Sequence, residues 1–177
     1  MKLSFRRREV IWGLFGLLGL TGRASFASVD NTEASYLDLM DQISLPLSDL
    51  AGVWKSREFE AWVSSPGGDK LLKGLLLRVS EPVQDDTGLR AFCVYCPQEI
   101  CEVALVQDTS KVRLDSGAVP EHPLVVCPCH FSAFNPLADG VNISGPAFRG
   151  LFRFRVITRD DRIHITQVEK KALTLFN

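Results

Sequence analysis

The chain has 177 residues, the usual length of one domain, and 46% of them are hydrophobic against 23% charged, so it can bury a core and is not mainly disordered. Its net charge of −1 provides no basic field for nucleic acid, which argues against a nucleic-acid partner. Five cysteines are too few for a disulfide-dense miniprotein, but all of them lie between Cys93 and Cys129, and this clustering is the most informative feature of the composition.

Residues 1–27 have the three parts of an export signal. Residues 1–9 are basic, residues 10–22 are apolar and rich in glycine, and small residues surround Ala27. A helix of residues 10–22 would be only about 20 Å long, shorter than the roughly 30 Å of a bilayer core. We therefore predict a signal rather than a membrane span, although an uncleaved segment could associate the protein with a membrane.

The arginine pair in this segment resembles that of a twin-arginine signal. Arg7 and Arg8 precede Val10 and Ile11, which match the apolar positions of that motif, whereas Arg6 stands where the motif prefers Ser or Thr. The resemblance implies export to the periplasm or to the outer face of the cytoplasmic membrane, with an ordinary secretory signal as the alternative. Disulfides can persist in such a compartment.

Residues 28–45 connect this signal to the rest of the chain. On a helix, Tyr36, Leu37, Met40 and Ile43 would share one face. The pattern predicts a short amphipathic helix, and a loosely attached linker is the alternative.

Residues 46–177 show the alternation and turn signals of an all-β domain. The predicted strands cover residues 59–63, 71–79, 89–95, 102–107, 112–114, 152–156 and 162–168. Residues 65–69 and 159–161 are predicted turns, and residues 108–110 are predicted to close a hairpin. Many short strands joined by turns favour an antiparallel sandwich or barrel.

Two cysteine-rich segments follow predicted strands. The first box, residues 96–101, reads Cys-Pro-Gln-Glu-Ile-Cys, and the second box, residues 127–134, reads Cys-Pro-Cys-His-Phe-Ser-Ala-Phe. Loops at strand ends can present side chains to a common point. Because thiolate and imidazole are ligands that iron and zinc accept, the two boxes predict a metal site.

The boxes resemble those of the Rieske iron–sulfur proteins, in particular the exported small subunits of cytochrome bc complexes and of arsenite-oxidase-type enzymes. That family has C-x-H-x-x-C in one loop and C-x-C-H in the other, which bind a [2Fe–2S] cluster through two cysteines and two histidines. The resemblance implies a Rieske-type antiparallel β-sandwich over residues 46–177, with a small cluster-binding subdomain.

The resemblance also implies a role for each matching residue of the boxes. Cys96 and Cys127 would bind one iron, and His130 would bind the other. Cys101 and Cys129 would form a disulfide that joins the two loops.

Residues around the boxes match the family as well. Ser132 would donate a hydrogen bond to a bridging sulfide, and Gly145 and Pro146 would belong to the loop that covers the cluster. Phe134 stands where many members have a tyrosine, so the phenolic hydrogen bond to a cysteine sulfur is missing.

Gln98 departs from the family pattern, because it stands where the first box should have its histidine. A neutral amide oxygen is a hard ligand, poorly suited to sulfide-bridged iron, and it cannot titrate. The cluster could still bind with Gln98 or a water as the fourth ligand, Cys93 or His122 could replace the missing histidine, or the cluster could be lost and the domain kept as a scaffold.

A tetrahedral zinc site is a further alternative. Its ligands would be Cys96, Cys101 and Cys127, together with His130 or Cys129. In an oxidising compartment two of these thiols would tend to pair instead. Cys93 is then expected to remain a buried thiol without chemistry.

The expected function is one-electron transfer by a subunit of a larger redox enzyme, or of a cytochrome-containing, quinol-oxidising complex. The chain would be an oxidoreductase subunit rather than a stand-alone catalyst, and membrane association would run through residues 10–22. The alternative is a cluster-free Rieske-like module with a structural or assembly role. A hydrolase has no support, because the sequence shows no Ser/His/Asp set, phosphate loop or paired carboxylates.

Overall fold

Antiparallel β-strands dominate the part of the chain that the structure describes. The computed structural model describes residues 35–81 and 88–176; the predicted export signal at residues 1–27 lies outside them. In these two ranges ten strands and four short 3₁₀ segments occur, and we find no helix long and apolar enough to cross a membrane. The predicted all-β fold class is confirmed for these residues.

The strands follow the chain in this order: β1 (Tyr36–Pro46), β2 (Ser56–Val63), β3 (Lys70–Arg78), β4 (Leu89–Cys93), β5 (Ala104–Val106), β6 (Leu124–Val126), β7 (Ala133–Asn135), β8 (Val141–Ser144), β9 (Arg153–Arg159) and β10 (Arg162–Glu169). The 3₁₀ segments are Leu47–Leu50, Thr109–Lys111, Pro136–Ala138 and Lys170–Phe176.

A six-stranded base sheet has the order β1-β10-β9-β4-β3-β2. Its hairpins follow the predicted alternation: in β2, Phe59, Ala61 and Val63 are buried while their neighbours are exposed. At the β9–β10 turn, Asp160 and Asp161 both have positive φ, as in the two-residue turns that match strand twist. The edge strands β1 and β2 also contact each other, so the sheet curls around its core.

Strand β3 is buried on both faces. Leu72 and Leu76 pack into the core enclosed by the base sheet, while Leu75 and Leu77 pack into a second core shared with the smaller sheet. This explains why Leu75, Leu76 and Leu77 are consecutive apolar residues rather than an alternation of apolar and polar ones.

The smaller sheet has four strands in the order β5-β6-β7-β8 and carries the candidate site. The first box precedes β5, the second box joins β6 to β7, and residues 145–150 follow β8. Neighbouring strands are antiparallel, so one end of this sheet contains the start of β5, the end of β6, the start of β7 and the end of β8. The topology therefore brings three loops to one end of this sheet.

The predicted helix or linker at residues 28–45 is wrong over its described part. Tyr36 to Pro46 form strand β1, which pairs with β10 from Tyr36–Glu169 to Pro46–Arg162. A register shift between Asp38 and Ile43 changes which side chains face inward, so the strand lacks a clean alternation. Pairing with a distant strand outweighs the local helical pattern.

The predicted hairpin across residues 108–110 is also wrong. Strand β5 pairs with β6, and residues 112–114 form no strand. The Asp108 carboxylate accepts a hydrogen bond from the Ser110 N–H at 3.2 Å and begins the 3₁₀ segment Thr109–Lys111.

Candidate metal centre

The two boxes form loops with matching closures. In the first box the Cys96 N–H donates to the Cys101 carbonyl at 2.9 Å, and in the second the Cys127 N–H donates to the Ser132 carbonyl at 2.9 Å. Each loop thus begins with a cysteine and is closed five residues later. The closures hold Cys96 and Cys127 at equivalent points of two adjacent loops.

A disulfide joins the loops. Cys101 and Cys129 are bonded, with Cα atoms 6.5 Å apart, and they are 28 positions apart in sequence. The predicted disulfide is confirmed. It fixes the far end of the first box to the middle of the second.

Cys96 and Cys127 lie side by side beneath the loops. Each is 1% exposed, and the Cys127 side chain interacts with the Cys96 thiol. The backbone N–H groups of Gln98 and Glu99 also act on the Cys96 sulfur. Burial raises the pKa of Cys96, these two donors lower it, and the contact with Cys127 raises it. Two buried thiols thus form the base of the site.

His130 reaches from the second box toward the first. Its Nδ1 lies 3.9 Å from a carboxylate oxygen of Glu99, and its side chain is 46% exposed. Gln98 is exposed, and its backbone N–H contacts Cys96. Sequence reasoning missed the Glu99 contact, since nothing in the spacing indicates a partner for a histidine on another loop.

The segment after β8, which we term the cover loop (residues 145–150), lies against the second box. The Ala147 N–H donates to the hydroxyl of the buried Ser132 at 3.1 Å. A Cβ on Gly145 would lie 2.6 Å from the Ser132 Cα, so only glycine permits this approach. Gly145 has φ +83°, and Pro146 is exposed beside it.

Two side chains that lie outside the cover loop hold it in place through hydrogen bonds. The Gly145 N–H donates to the Asp115 carboxylate at 2.8 Å, and the Asn142 amide donates to the Gly145 and Ala147 carbonyls. The loop is therefore held from β8 and from residues before β6, as well as by Ser132.

Neither proposed substitute for the missing histidine lies with the thiols. Cys93 packs into the base-sheet core, where burial raises its pKa to about 11. His122 stacks on Trp54 at 5.8 Å between ring centroids, and its Nδ1 is 3.0 Å from the Pro123 carbonyl. The structure thus favours neither replacement, and the expectation that Cys93 is a buried thiol is confirmed.

The zinc alternative does not hold in this state of the protein. The sulfurs of Cys101, Cys127 and Cys129 lie within 4.8 Å of one another, but two of them are bonded to each other. A disulfide sulfur is not a thiolate ligand, so the four-ligand set is broken.

Phe134 is fully buried in the core between the two sheets. It fills the apolar space below the second box, where a tyrosine hydroxyl would need a hydrogen-bond partner. The residue therefore supports the site by packing.

Comparison with solved structures finds similar proteins at low identity, among them the following three. The Rieske protein PetC3 of the cyanobacterial plasma membrane from Synechocystis PCC 6803 is 19% identical, with a TM-score of 0.40 over 74% of this chain and 97% of that one. The soluble domain of the Rieske protein II (soxF) from Sulfolobus acidocaldarius is 17% identical, with a TM-score of 0.38 over 78% and 70%. A putative nitrite reductase NADPH small subunit is 15% identical, with a TM-score of 0.39 over 71% and 98%. No protein-family model matches the chain, and no curated protein matches it.

Proposed function

We propose that this protein is a Rieske-type electron-transfer protein that binds a [2Fe–2S] cluster with altered ligation. The observation that carries the proposal is the placement of the buried thiols Cys96 and Cys127 side by side, in two loops joined by the Cys101–Cys129 disulfide. Cysteine pairs from two loops are the thiolate half of such a site.

At three positions the residue types are those that bind this group. Cys96 and Cys127 would hold one iron, and His130, from the same loop as Cys127, would hold the other. The fourth position falls to Gln98 or to a water beside it, because Gln98 replaces the second imidazole. When bound, such a cluster takes up and releases one electron.

The surrounding residues shape the electrostatics of the site. The backbone N–H groups of Gln98 and Glu99 lower the pKa of the Cys96 thiol, because they stabilise negative charge on its sulfur. The Ser132 oxygen accepts from Ala147, which leaves its own hydroxyl proton to donate toward a sulfur. Glu99 places a carboxylate 3.9 Å from His130 Nδ1, whereas Gln98 has no proton to release on oxidation.

The exposed apolar side chains at this end support docking to a larger redox partner. Ile100, Phe131 and Phe148 are 58%, 68% and 75% exposed, and each comes from a different one of the three loops. Large exposed apolar side chains that gather at one site mark interaction surfaces. The partner is a larger redox subunit or a quinol-oxidising cytochrome complex, and the location is the outer face of the cytoplasmic membrane or the periplasm, as the segment at residues 1–27 implies.

The test is metal analysis of the full chain purified from the compartment to which it is exported. We expect iron and acid-labile sulfide in equal amounts, about two of each per chain, and an electron paramagnetic resonance signal after reduction. Cys127→Ser should abolish both, and Cys93→Ser, in the base-sheet core, should keep both. A folded wild-type protein without iron would contradict the proposal and favour a cluster-free structural or assembly subunit.

Gln98→His tests the fourth position directly. Restoring an imidazole should raise cluster occupancy and slow cluster loss to a chelator, because imidazole binds iron more strongly than an amide oxygen. The measurement is the decay of visible absorbance with chelator present. Gln98→Asn, which changes the length but not the donor type, is the control; equal decay for His and Asn variants would show that position 98 does not reach the iron.

A further inference from the structure

We propose that the Glu99 carboxylate, rather than the Gln98 amide or a water, is the fourth ligand of the cluster, an assignment that rests on the function proposed above. Glu99 and His130 would then hold the iron that the two cysteines do not bind. The family motif places Gln98 at the fourth position, whereas the closures of the two loops and the contact between them place Glu99 there.

Glu99 and His130 occupy equivalent positions of the two loops. Each loop is closed by a 2.9 Å hydrogen bond from the N–H of its first residue, Cys96 or Cys127, to the carbonyl of its sixth residue. Counted within these closures, Glu99 is the fourth residue of the first loop and His130 the fourth of the second, whereas Gln98 is the third. The loop that supplies His130 therefore has its counterpart at Glu99.

The two side chains also meet in space. The Glu99 Oε2 atom lies 3.9 Å from His130 Nδ1, and the side chains are 58% and 46% exposed. Two atoms bound to one tetrahedral metal ion through bonds of about 2 Å lie roughly 3.3 Å apart. A side-chain adjustment of about 0.6 Å would therefore let the carboxylate and the imidazole share one iron.

The disulfide, rather than attraction between the two side chains, holds this pair together. The Glu99 carbonyl accepts a hydrogen bond from the Cys101 N–H at 2.7 Å, and His130 directly follows Cys129 in the chain. The backbone of both residues is thus fixed beside the cross-link. An ion pair between side chains this exposed contributes little to stability, so stability alone does not account for its placement.

Gln98 does not share this arrangement. Its side chain is exposed, and within residues 35–81 and 88–176 it forms no hydrogen bond with His130 or with the loops. A carboxylate is an anionic ligand that protein iron sites use together with histidine, whereas an amide oxygen is neutral and binds more weakly. Position and chemistry both favour Glu99.

The first test follows cluster loss to a chelator in the cluster-containing full chain, measured as the decay of visible absorbance. Glu99→Ala should lose its cluster faster than the wild type, because the iron loses a protein ligand. Glu102→Ala is the control, since it removes the same charge from a carboxylate that is paired with Lys73 at 2.5 Å, and its decay should match the wild type. Faster loss in Gln98→Ala with a wild-type rate in Glu99→Ala would overturn the assignment.

The second test identifies the ligand by pulsed electron paramagnetic resonance of the reduced cluster in water enriched in ¹⁷O. The wild type should show one coordinated ¹⁴N, that of His130, and no coupling to ¹⁷O. Glu99→Ala should gain ¹⁷O coupling as water binds in place of the carboxylate, and Glu99→His should gain a second coordinated ¹⁴N.

The outcomes separate this assignment from the function on which it rests. Coupling to ¹⁷O in the wild type, or a single coordinated ¹⁴N in Glu99→His, would overturn Glu99 as the ligand while the cluster itself stands. The wild-type measurement decides the matter even where a variant fails to fold. A folded wild type without iron would overturn both.

Discussion

Gly145 shows how one residue decides whether the cover loop can lie on the second box. Its φ of +83° is a conformation that other residues adopt at a cost, and its missing Cβ would lie 2.6 Å from the Ser132 Cα and 2.8 Å from the Ser132 nitrogen. Both obstructing atoms are backbone, so a rotamer change cannot relieve the overlap. The Ala147–Ser132 hydrogen bond depends on the same close approach.

Gly145→Ala should lower the free energy of unfolding by about 3 kcal/mol, of which about 1 kcal/mol is the backbone conformation. Gly117→Ala is the matched control, because Gly117 has φ +75° but no atom lies within 4 Å of the point that an alanine Cβ would occupy there. Gly117→Ala should therefore lower the free energy of unfolding only by the about 1 kcal/mol that the backbone conformation costs. Urea denaturation of the two iron-free variants measures the difference, and equal losses would show that the contact with Ser132 contributes nothing.

Strand β10 ends in a buried carboxylate that ties two elements together. Glu169 is 3% exposed; its carboxylate lies 2.5 Å from Arg149 Nη2 and 3.9 Å from Arg153 Nε. Arg149 belongs to the cover loop and also stacks over the Phe152 ring at 4.0 Å. The base sheet thus holds the end of the cover loop through one acidic residue.

Glu169→Gln should destabilise the protein by about 2 kcal/mol, because two partly buried arginines lose their counter-charge. Glu102→Gln is the comparison: Glu102 makes an equally short 2.5 Å contact with Lys73, but its side chain is 55% exposed. Solvent screens that pair, so its loss should leave stability nearly unchanged. Chemical denaturation that shows the same effect for both substitutions would contradict this dependence on burial.

Across the whole molecule, the candidate site depends on sheet topology and on one long-range cross-link. The smaller sheet brings three loops to one edge, and its apolar face packs on the outward side of β3 and β4, with Cys96 and Cys127 among the residues of that core. The disulfide then closes 28 positions of chain. Local pairing within the boxes would not by itself hold two loops at a common point.

Replacing both Cys101 and Cys129 by alanine should lower the free energy of unfolding by roughly 3–4 kcal/mol, because the unfolded chain regains the entropy of an open loop of this length. The measurement is denaturant unfolding of the iron-free protein. Adding a reductant should destabilise the wild type by a similar amount and leave the double variant unaffected. If a reductant leaves the free energy of unfolding of the wild type unchanged, the disulfide does not stabilise the protein in this way.

The amino-acid pattern was sufficient to predict strands wherever buried and exposed residues alternate along the chain. The alternation in β2 and in the β9–β10 hairpin predicted strands that the structure confirms, since one face of each must be apolar. The disulfide between Cys101 and Cys129, implied by the resemblance of the boxes to a known family, is confirmed as well.

Tertiary structure alone decided the pairings between distant segments. Strand β1 has a helical pattern but pairs with β10, and β5 pairs with β6 rather than with the residues that follow it. The contacts of Glu99 with His130 and of Ala147 with Ser132 likewise join separate loops. Side-chain periodicity reports only whether a segment has a buried face; which segment covers that face depends on contacts between residues far apart in the chain, and no local pattern encodes them.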